Sequence, residues 1–387
     1  MKRKERKKKS RLKLIITTDI ILLAILCGVL LMREFQKDTQ EVQSNAKIEA
    51  ADNEEKKTEE EQEIEEVQET TITISAAGDC TLGTDEGFDY GRSFKGKYDA
   101  VQNPAYFFQN VQPVFAQDDL TIVNMEGTLT EETAREPKQF AFKGDAAYAK
   151  ILSSGAVEAA NLANNHSFDY GKKSYEDTIV ALEAEGISSF GYERTAVMDI
   201  KGVKVGFAGV YELAKHIDCK QDLLDNIASL EEQGAQLIIV SFHWGQEKEN
   251  IPNNVQVELA HTAIDNGADL VLGHHPHVLQ GIEEYKGKNI VYSLGNFCFG
   301  GNSAPRDMDT MIFQQTFTLK DGEVQQDNVT NILPCKISSA YAEGYNNYQP
   351  VLAEGEQKEK IFQRLSEYSQ KAQEAGERLL QKKSSEE

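Results

Sequence analysis

The chain has 387 residues, of which 41 are Lys or Arg and 63 are Asp or Glu, for a formal net charge of −22 at pH 7. That length allows one large domain or two small ones, and so acidic a balance excludes general nucleic-acid binding, which needs a basic face for phosphates. Five cysteines with no CxxC pair exclude a disulfide-dense scaffold and a cysteine-based zinc ribbon.

The charge is spread unevenly. Residues 1–13 form a basic segment with nine basic and one acidic residue, net +8. In residues 14–32 the only charge is Asp19. About 20 apolar residues at ~1.5 Å each cross a ~30 Å hydrocarbon core. The run therefore reads as a transmembrane signal anchor, and the basic flank puts the N-terminus in the cytoplasm. No A-x-A-like cleavage site follows it, and Leu26 before Cys27 is too bulky for a lipoprotein site. Asp19 is expected to snorkel or to face a partner helix. Residues 33–70 form an acidic linker, with 14 acids and 4 bases between 34 and 69, too poor in apolar surface to fold alone. Residues 70–387 carry net −20. The expected topology is a single pass through the cell membrane with the C-terminal domain outside.

From Thr71 onward, short β-rich runs alternate with helical periodicity. Strands are expected at 71–77, 119–124, 156–161, 203–210, 235–242, 268–273 and 288–294. Helices are expected at 104–116, 146–154, 172–185, 221–232 and 255–266. That alternation indicates an α/β fold with largely buried strands. Residues 309–319 and 323–333 read as a hairpin joined through Asp321-Gly322. The domain is bounded at 71–335, and residues 336–387 read as an extension whose Glu-, Gln- and Lys-rich composition after Pro350 predicts an exposed helix to about Lys383.

Distinctive residues fall where the strands end. They are Gly78-Asp79, Asn124-Met125-Glu126-Gly127, Asn164-Asn165-His166, His243-Trp244-Gly245, the run Gly273 to His277, and Ser293 to Phe297. Side chains at the carboxyl ends of strands in an open α/β sheet converge on one crevice. Five of the seven histidines lie in these stretches. A set of Asp, Glu, Asn and His without thiolates suits two divalent or trivalent ions, Mn, Fe or Zn. Glu126 has two oxygens with which to bridge them. Asn165 offers an amide oxygen, and His243, His275 and His277 offer imidazole nitrogens. On an extended segment His275 and His277 point oppositely and serve one ion each; alternatively they meet one ion through a turn stiffened by Pro276. His166 is the candidate catalytic residue, donating a proton or stabilising transition-state charge. Taken singly, each residue also fits a turn, cap or core role; six such stretches in succession favour a metal site.

GDCTLG (78–83), NMEGTLT (124–130), NLANNHSFDYG (161–171), SFHWGQE (241–247), GHHPHVLQG (273–281) and YSLGNF (292–297) together resemble the CapA family of capsule synthesis proteins. That family is associated with poly-γ-glutamate and is similar to calcineurin-like metallophosphoesterases. The resemblance covers roughly residues 72–320. It implies a four-layer α/β/β/α metallophosphoesterase-like sandwich preceded by one N-terminal transmembrane helix, with a dinuclear metal centre between the sheet edges. It also implies partners among the membrane components of a polymer synthase complex, and poly-γ-glutamate or another envelope polymer as ligand. Asp79 matches the first metal-binding aspartate, Glu126 the bridging aspartate, Asn165 and His166 the Asn-His pair, His243 the isolated histidine, and His275 with His277 the closing HxH. The sequence departs from the superfamily at Thr81, where a histidine is usual, and at Glu126, one methylene longer than the usual aspartate. His274 is read as standing behind the ligands.

Three functions are weighed: a metal-dependent phosphoesterase or other hydrolase of envelope material, a polymer-binding component without turnover, and an adhesion ectodomain, which leaves the clustered histidines unexplained. Trp244 is read equally as pocket wall or core, and Cys80 and Cys298 as small buried residues. Cys219 and Cys335 pair only if the fold brings them together. Asp307 to Asp309, beside Arg306, reads as a solvated loop or as a contact for a cationic or phosphate group.

Overall fold

A computed structural model describes residues 69–386 of the chain. The basic segment, the expected membrane span and nearly all of the linker lie outside the described residues. Among the described residues no helix is long and apolar enough to cross a membrane.

In chain order, the first part contains β1 (Glu69–Thr81), α1 (Phe94–Val101), α2 (Gln112–Phe115), β2 (Leu120–Met125), β3 (Thr128–Leu129), β4 (Lys143–Gly144), α3 (Ala149–Ser154) and β5 (Ala159–Asn161). There follow α4 (Lys172–Ala184), β6 (Ser188–Phe190), β7 (Ala196–Ile200), β8 (Val203–Tyr211), α5 (Lys220–Glu232), β9 (Leu237–His243), α6 (Asn254–Asp265) and β10 (Leu270–His274). The last part is β11 (Ile282–Tyr285), β12 (Lys288–Val291), β13 (Asn296–Phe299), β14 (Asp309–Lys320), β15 (Glu323–Val324), β16 (Val329–Lys336), β17 (Val351–Leu352) and α7 (Gly355–Glu386).

These elements build a mixed α/β fold around two sheets. One runs β17-β16-β14-β1-β2-β5-β6, with β15 on β14 and β13 taking over from β14 along the last residues of β1. The other runs β11-β12-β10-β9-β8-β7, parallel in its centre and antiparallel at both edges. Alternate side chains of a strand face opposite ways, so each sheet buries two faces. Ile72, Ile74 and Ile122 share one apolar cluster with Val205, Phe207, Ile239 and Leu272, which joins the two sheets face to face. Val123 and Met125 pack instead with Phe115, Leu152 and Leu182, the helical side of the first sheet. Val240 and Val271 pack with Leu223, Ile227 and Leu259, the helical side of the second.

Local chemistry explains several boundaries. Asp321 and Gly322 both have positive φ (51° and 82°), as a two-residue hairpin turn requires, and they join β14 to β15. The second arm breaks there, and β16 resumes the pairing from Val329. α6 opens with a capping box, Asn253 accepting from the Gln256 amide while the Gln256 side chain accepts from the Asn253 amide.

The structure differs from three of these expectations and decides one question that the sequence left open. The helix expected at 104–116 is two short turns, Pro104–Phe107 and Gln112–Phe115, each opened by a proline that cannot continue a preceding helix. β1 starts at Glu69, so the last two linker residues belong to the sheet and pair with Lys320 and Leu319. Residues 336–386 are no appendage: they belong to one compact unit with the rest, β17 pairs with β16, and α7 is docked rather than free-standing. Ile361, Leu365, Ala372 and Ala375 of α7 are buried along one face. Arg364 on the same helix pairs with Asp307 (2.5 Å) and Asp309, which supplies the cationic partner of that acidic stretch from within the chain. Finally, Cys219 and Cys335 are both free and buried in different apolar clusters, so they form no disulfide.

Candidate metal centre

Strand register sets the site. β1, β2 and β5 are parallel, and pairing places Asp79 beside Asn124 and Asn124 beside Asn161. In the facing sheet the last residues of β9 and β10, His243 and His274, are paired. Asp79 is held at its place by a close backbone approach: its amide donates to Gly295 O (2.9 Å), and a Cβ on Gly78 would lie 1.9 Å from that oxygen.

The six residues expected to hold metal form one connected cluster. Glu126, His275 and His277 each present a ligand atom, all within 4.8 Å of one another. His243 Nε2 is 3.7 Å from Glu126 Oε1 and 2.8 Å from Asn165 Oδ1, so two expected ligand atoms face each other. Asp79 Oδ2 lies 3.2 Å from His277 Nδ1, and its Oδ1 accepts from Asn124 Nδ2 (2.8 Å). Thr81, where the resemblance leads one to expect histidine, donates to Glu126 Oε2 at 3.5 Å. His275 and His277 do not lie on an extended segment. Both have positive φ (95° and 57°) around Pro276, and this turn brings their rings to the same carboxylate. Such backbone costs about 1–3 kcal/mol per residue and persists where surrounding structure enforces it.

The electrostatics follow from burial. Glu126 is fully buried, Oε1 has no hydrogen-bond partner, and desolvation drives its pKa upward against the pull of His277. Burial opposes the charge on His277 too, but Glu126 and Asp79 outweigh it and raise its pKa. Asp79 stays well below the usual carboxylate range despite burial, because His274 and His277 contact it. His275 is pushed down to about 4 by burial and by His277, and its Nδ1 has no partner. A buried, unpartnered carboxylate oxygen on Glu126, with ligand atoms of Glu126, His275 and His277 all within 4.8 Å of one another, is what a divalent cation satisfies. The residues therefore fit the metal that the resemblance implies.

His166 stands on the loop after β5. Its Nδ1 lies 2.7 Å from Asp169 Oδ2, its ring is 4.6 Å from Phe142, and burial lowers its pKa against the effect of Asp169. With the Nδ1 proton committed to Asp169, Nε2 is the nitrogen left for chemistry. A pocket of about 280 Å³, lined by Lys138, Asn165, Phe168 and Asp169, opens beside this loop.

Four residues about the site were given no role of their own in the sequence. Asn124 and Asn164 hold the carboxylate and the loop: Asn164 donates to Met125 O (2.9 Å) and accepts from the His166 amide (3.0 Å). Asp169 carried a signal, three residues after His166 in NHSFD. Lys138 carried none. Of the two readings of Trp244, the core holds: it is buried, stacks on Phe242 (4.3 Å) and donates to Tyr292 O (2.9 Å). His274 Nδ1 lies 3.5 Å from Asp79 Oδ1, on the carboxylate rather than among the Glu126 ligands.

The model of the bacterial capsule synthesis protein PGA_cap family matches residues 73–301. The chain belongs to that family. This bears out the resemblance read from the six motifs. The chain is 32% identical over 213 residues to a PGA biosynthesis protein CapA of Bacillus subtilis (strain 168), covering 50% of this chain and 56% of that one. A capsule biosynthesis protein CapA of Bacillus anthracis is 29% identical over 254 residues, covering 59% and 60%. A probable polyglutamine synthesis accessory protein of Mycobacterium tuberculosis is 29% identical over 212 residues, covering 46% and 55%. The matches thus span about half to three-fifths of the length of these curated relatives. Among solved structures, a 5'-nucleotidase from Candida albicans SC5314 is similar with a TM-score of 0.40 and 10% identity, over 79% of this chain and 58% of that one.

Proposed function

We propose that the chain is a CapA-like protein of capsule or poly-γ-glutamate synthesis or export, carrying two metal ions (Mn, Fe or Zn) at the clustered strand ends of a metallophosphoesterase-like sandwich. The observation that carries the metal reading is Glu126 Oε1, buried and unpartnered within 3.7 Å of His243 Nε2 and 3.9 Å of His277 Nε2. Asp79, Glu126, Asn165, His243, His275 and His277 would hold the ions. When bound, they would supply Lewis-acid stabilisation and a hydroxide at neutral pH.

The protein's own part is to orient and to move a proton. Asp169 holds the ring of His166 through Nδ1 and leaves Nε2 as the nitrogen that would carry the proton. The pocket beside this dyad is lined by Glu136, Lys138, Asn165 and Asp169. This dyad favours hydrolysis of a phosphoester or another bond of envelope material over polymer binding without turnover.

The reading extends to location. The basic segment 1–13, the apolar run 14–32 and the acidic linker support a single-pass membrane protein with its domain outside, beside other membrane components of a synthase and its polymer. Full-length protein should carry close to two equivalents of Mn, Fe or Zn by elemental analysis, and Glu126→Gln and His243→Ala should remove them. A folded, metal-free wild type overturns the metal centre. Loss of the cell's γ-polyglutamate in those variants, with no turnover by wild type on chromogenic phosphoesters, favours the binding role.

A further inference from the structure

Between β3 and β4, residues 130–142 run without regular structure and fold around one side chain. Arg135 donates to the carbonyls of Glu136 (3.1 Å), Lys138 (3.0 Å) and Gln139 (3.2 Å), and to Asp85 Oδ2 (2.8 Å). Asp85 in turn accepts from the amides of Ala141 and Gly87, both at 2.8 Å. The strap shaped in this way presents Lys138 across the loop that carries Asn165 and His166. Lys138 Nζ donates to Asn165 O (2.6 Å) and Asp169 Oδ1 (2.7 Å) and lies 3.4 Å from His166 Nδ1. Two further bonds tie strap to loop, from the Glu136 amide to Asp169 O (2.9 Å) and from the Phe142 amide to Asp169 Oδ2 (2.5 Å).

We propose that Lys138 is a positioning residue of the metal centre, fixing the loop so that the Asn165 amide meets His243 and the His166 ring stays on Asp169. The inference rests on the metal reading above. The geometry separates this role from anion capture. Of the three N–H donors of an ammonium, two are committed to Asn165 O and Asp169, and only 31% of the side chain is exposed. The Asp169 carboxylate is wholly buried, and Lys138 is the cation that compensates it. Without that cation the carboxylate must move toward water, carrying with it the loop that holds the Asn165 amide 2.8 Å from His243.

The test uses the full chain in detergent, as wild type, Lys138→Met, Asp169→Asn and the double variant. Circular dichroism establishes folding, amide hydrogen exchange over 162–170 is read without metal, and Mn²⁺ and Zn²⁺ affinities are read by calorimetry. Lys138→Met is expected to speed exchange of the loop and to weaken metal affinity by about 10- to 100-fold. It should add little on the Asp169→Asn background. Unchanged exchange, or faster exchange with affinity within two-fold of wild type, overturns the proposal. If wild type binds neither metal, the metal reading falls, and loop exchange alone decides whether Lys138 positions the loop. Should Lys138→Met not fold, Lys138→Arg, whose planar fork does not replace a compact ammonium, is expected to weaken affinity about three-fold or more; wild-type affinity overturns the role.

Discussion

Gly376 of α7 stands so close to the Glu283 carboxylate that a Cβ there would lie 1.9 Å from Oε1. Glu283 is only 2% exposed and is bonded to His261 Nε2 (2.8 Å) and to the Tyr292 hydroxyl (2.6 Å). A methyl group at 376 must lift the helix or displace the carboxylate from both partners. In a free helix Gly→Ala favours folding by about 1 kcal/mol. Here Gly376→Ala should instead destabilise by about 1–3 kcal/mol. Thermal unfolding reads the sign directly, and a stabilised variant would mean that α7 does not dock as described.

Trp244 makes the converse case, a residue next to a proposed metal ligand that serves the core. Its indole donates to Tyr292 O, so Trp244→Phe leaves a buried carbonyl unpartnered. The expected loss is about 1–3 kcal/mol, with metal content by elemental analysis unchanged. Lost metal at unchanged stability would return Trp244 to the pocket.

Glu126 reaches its neighbours with a chain one methylene longer than aspartate. Glu126→Asp withdraws the carboxylate by about 1.5 Å, more than the ~0.5 Å that a ligand constellation tolerates. Metal affinity should fall about ten-fold or more in a calorimetric titration. Affinity equal to wild type would show that the backbone of the Asn124 to Gly127 turn closes the gap.

Asp85 gives a pH signature. Burial works to raise its pKa, but the Ala141 amide, Arg135 and the Gly87 amide prevail and hold it below the ordinary carboxylate value. A carboxylate with a depressed folded pKa contributes stability above its unfolded pKa of ~3.9, and loses it as pH falls through the folded value. Asp85→Asn should therefore cost about 2 kcal/mol at pH 7. The gap to wild type should close as the pH drops from ~4 through that depressed value. Denaturant unfolding at pH 7 and at acid pH checks both; a gap that widens in acid contradicts the ion pair.

The strands and most of the candidate site were legible because several apolar runs stop at a polar residue: Asp79, Asn124, Asn161, His243, His274. The turn at Asp321-Gly322 was legible because few other pairs tolerate positive φ twice. Lys138 was not, because its value comes from a strap whose path depends on Arg135 reaching Asp85, 50 residues earlier. The docking of α7 was hidden by thrift: Ile361, Leu365, Ala372 and Ala375 are few among charged neighbours, and two of them are alanines. For His275 and His277 the residue types left two geometries open, an extended segment or a turn at Pro276, and the positive φ of both residues decides for the turn.

The side-by-side register of Asp79, Asn124 and Asn161 across three parallel strands has a thermodynamic consequence. A slip of one residue in β2 would turn Glu126 to the opposite face, so no partly paired sheet can retain the proposed ligand set. An ion that binds only the completed register therefore acts as an additional rung of that sheet. Its stabilisation grows with the logarithm of free metal concentration, and chelation should lower the melting point of the entire domain rather than loosen one loop.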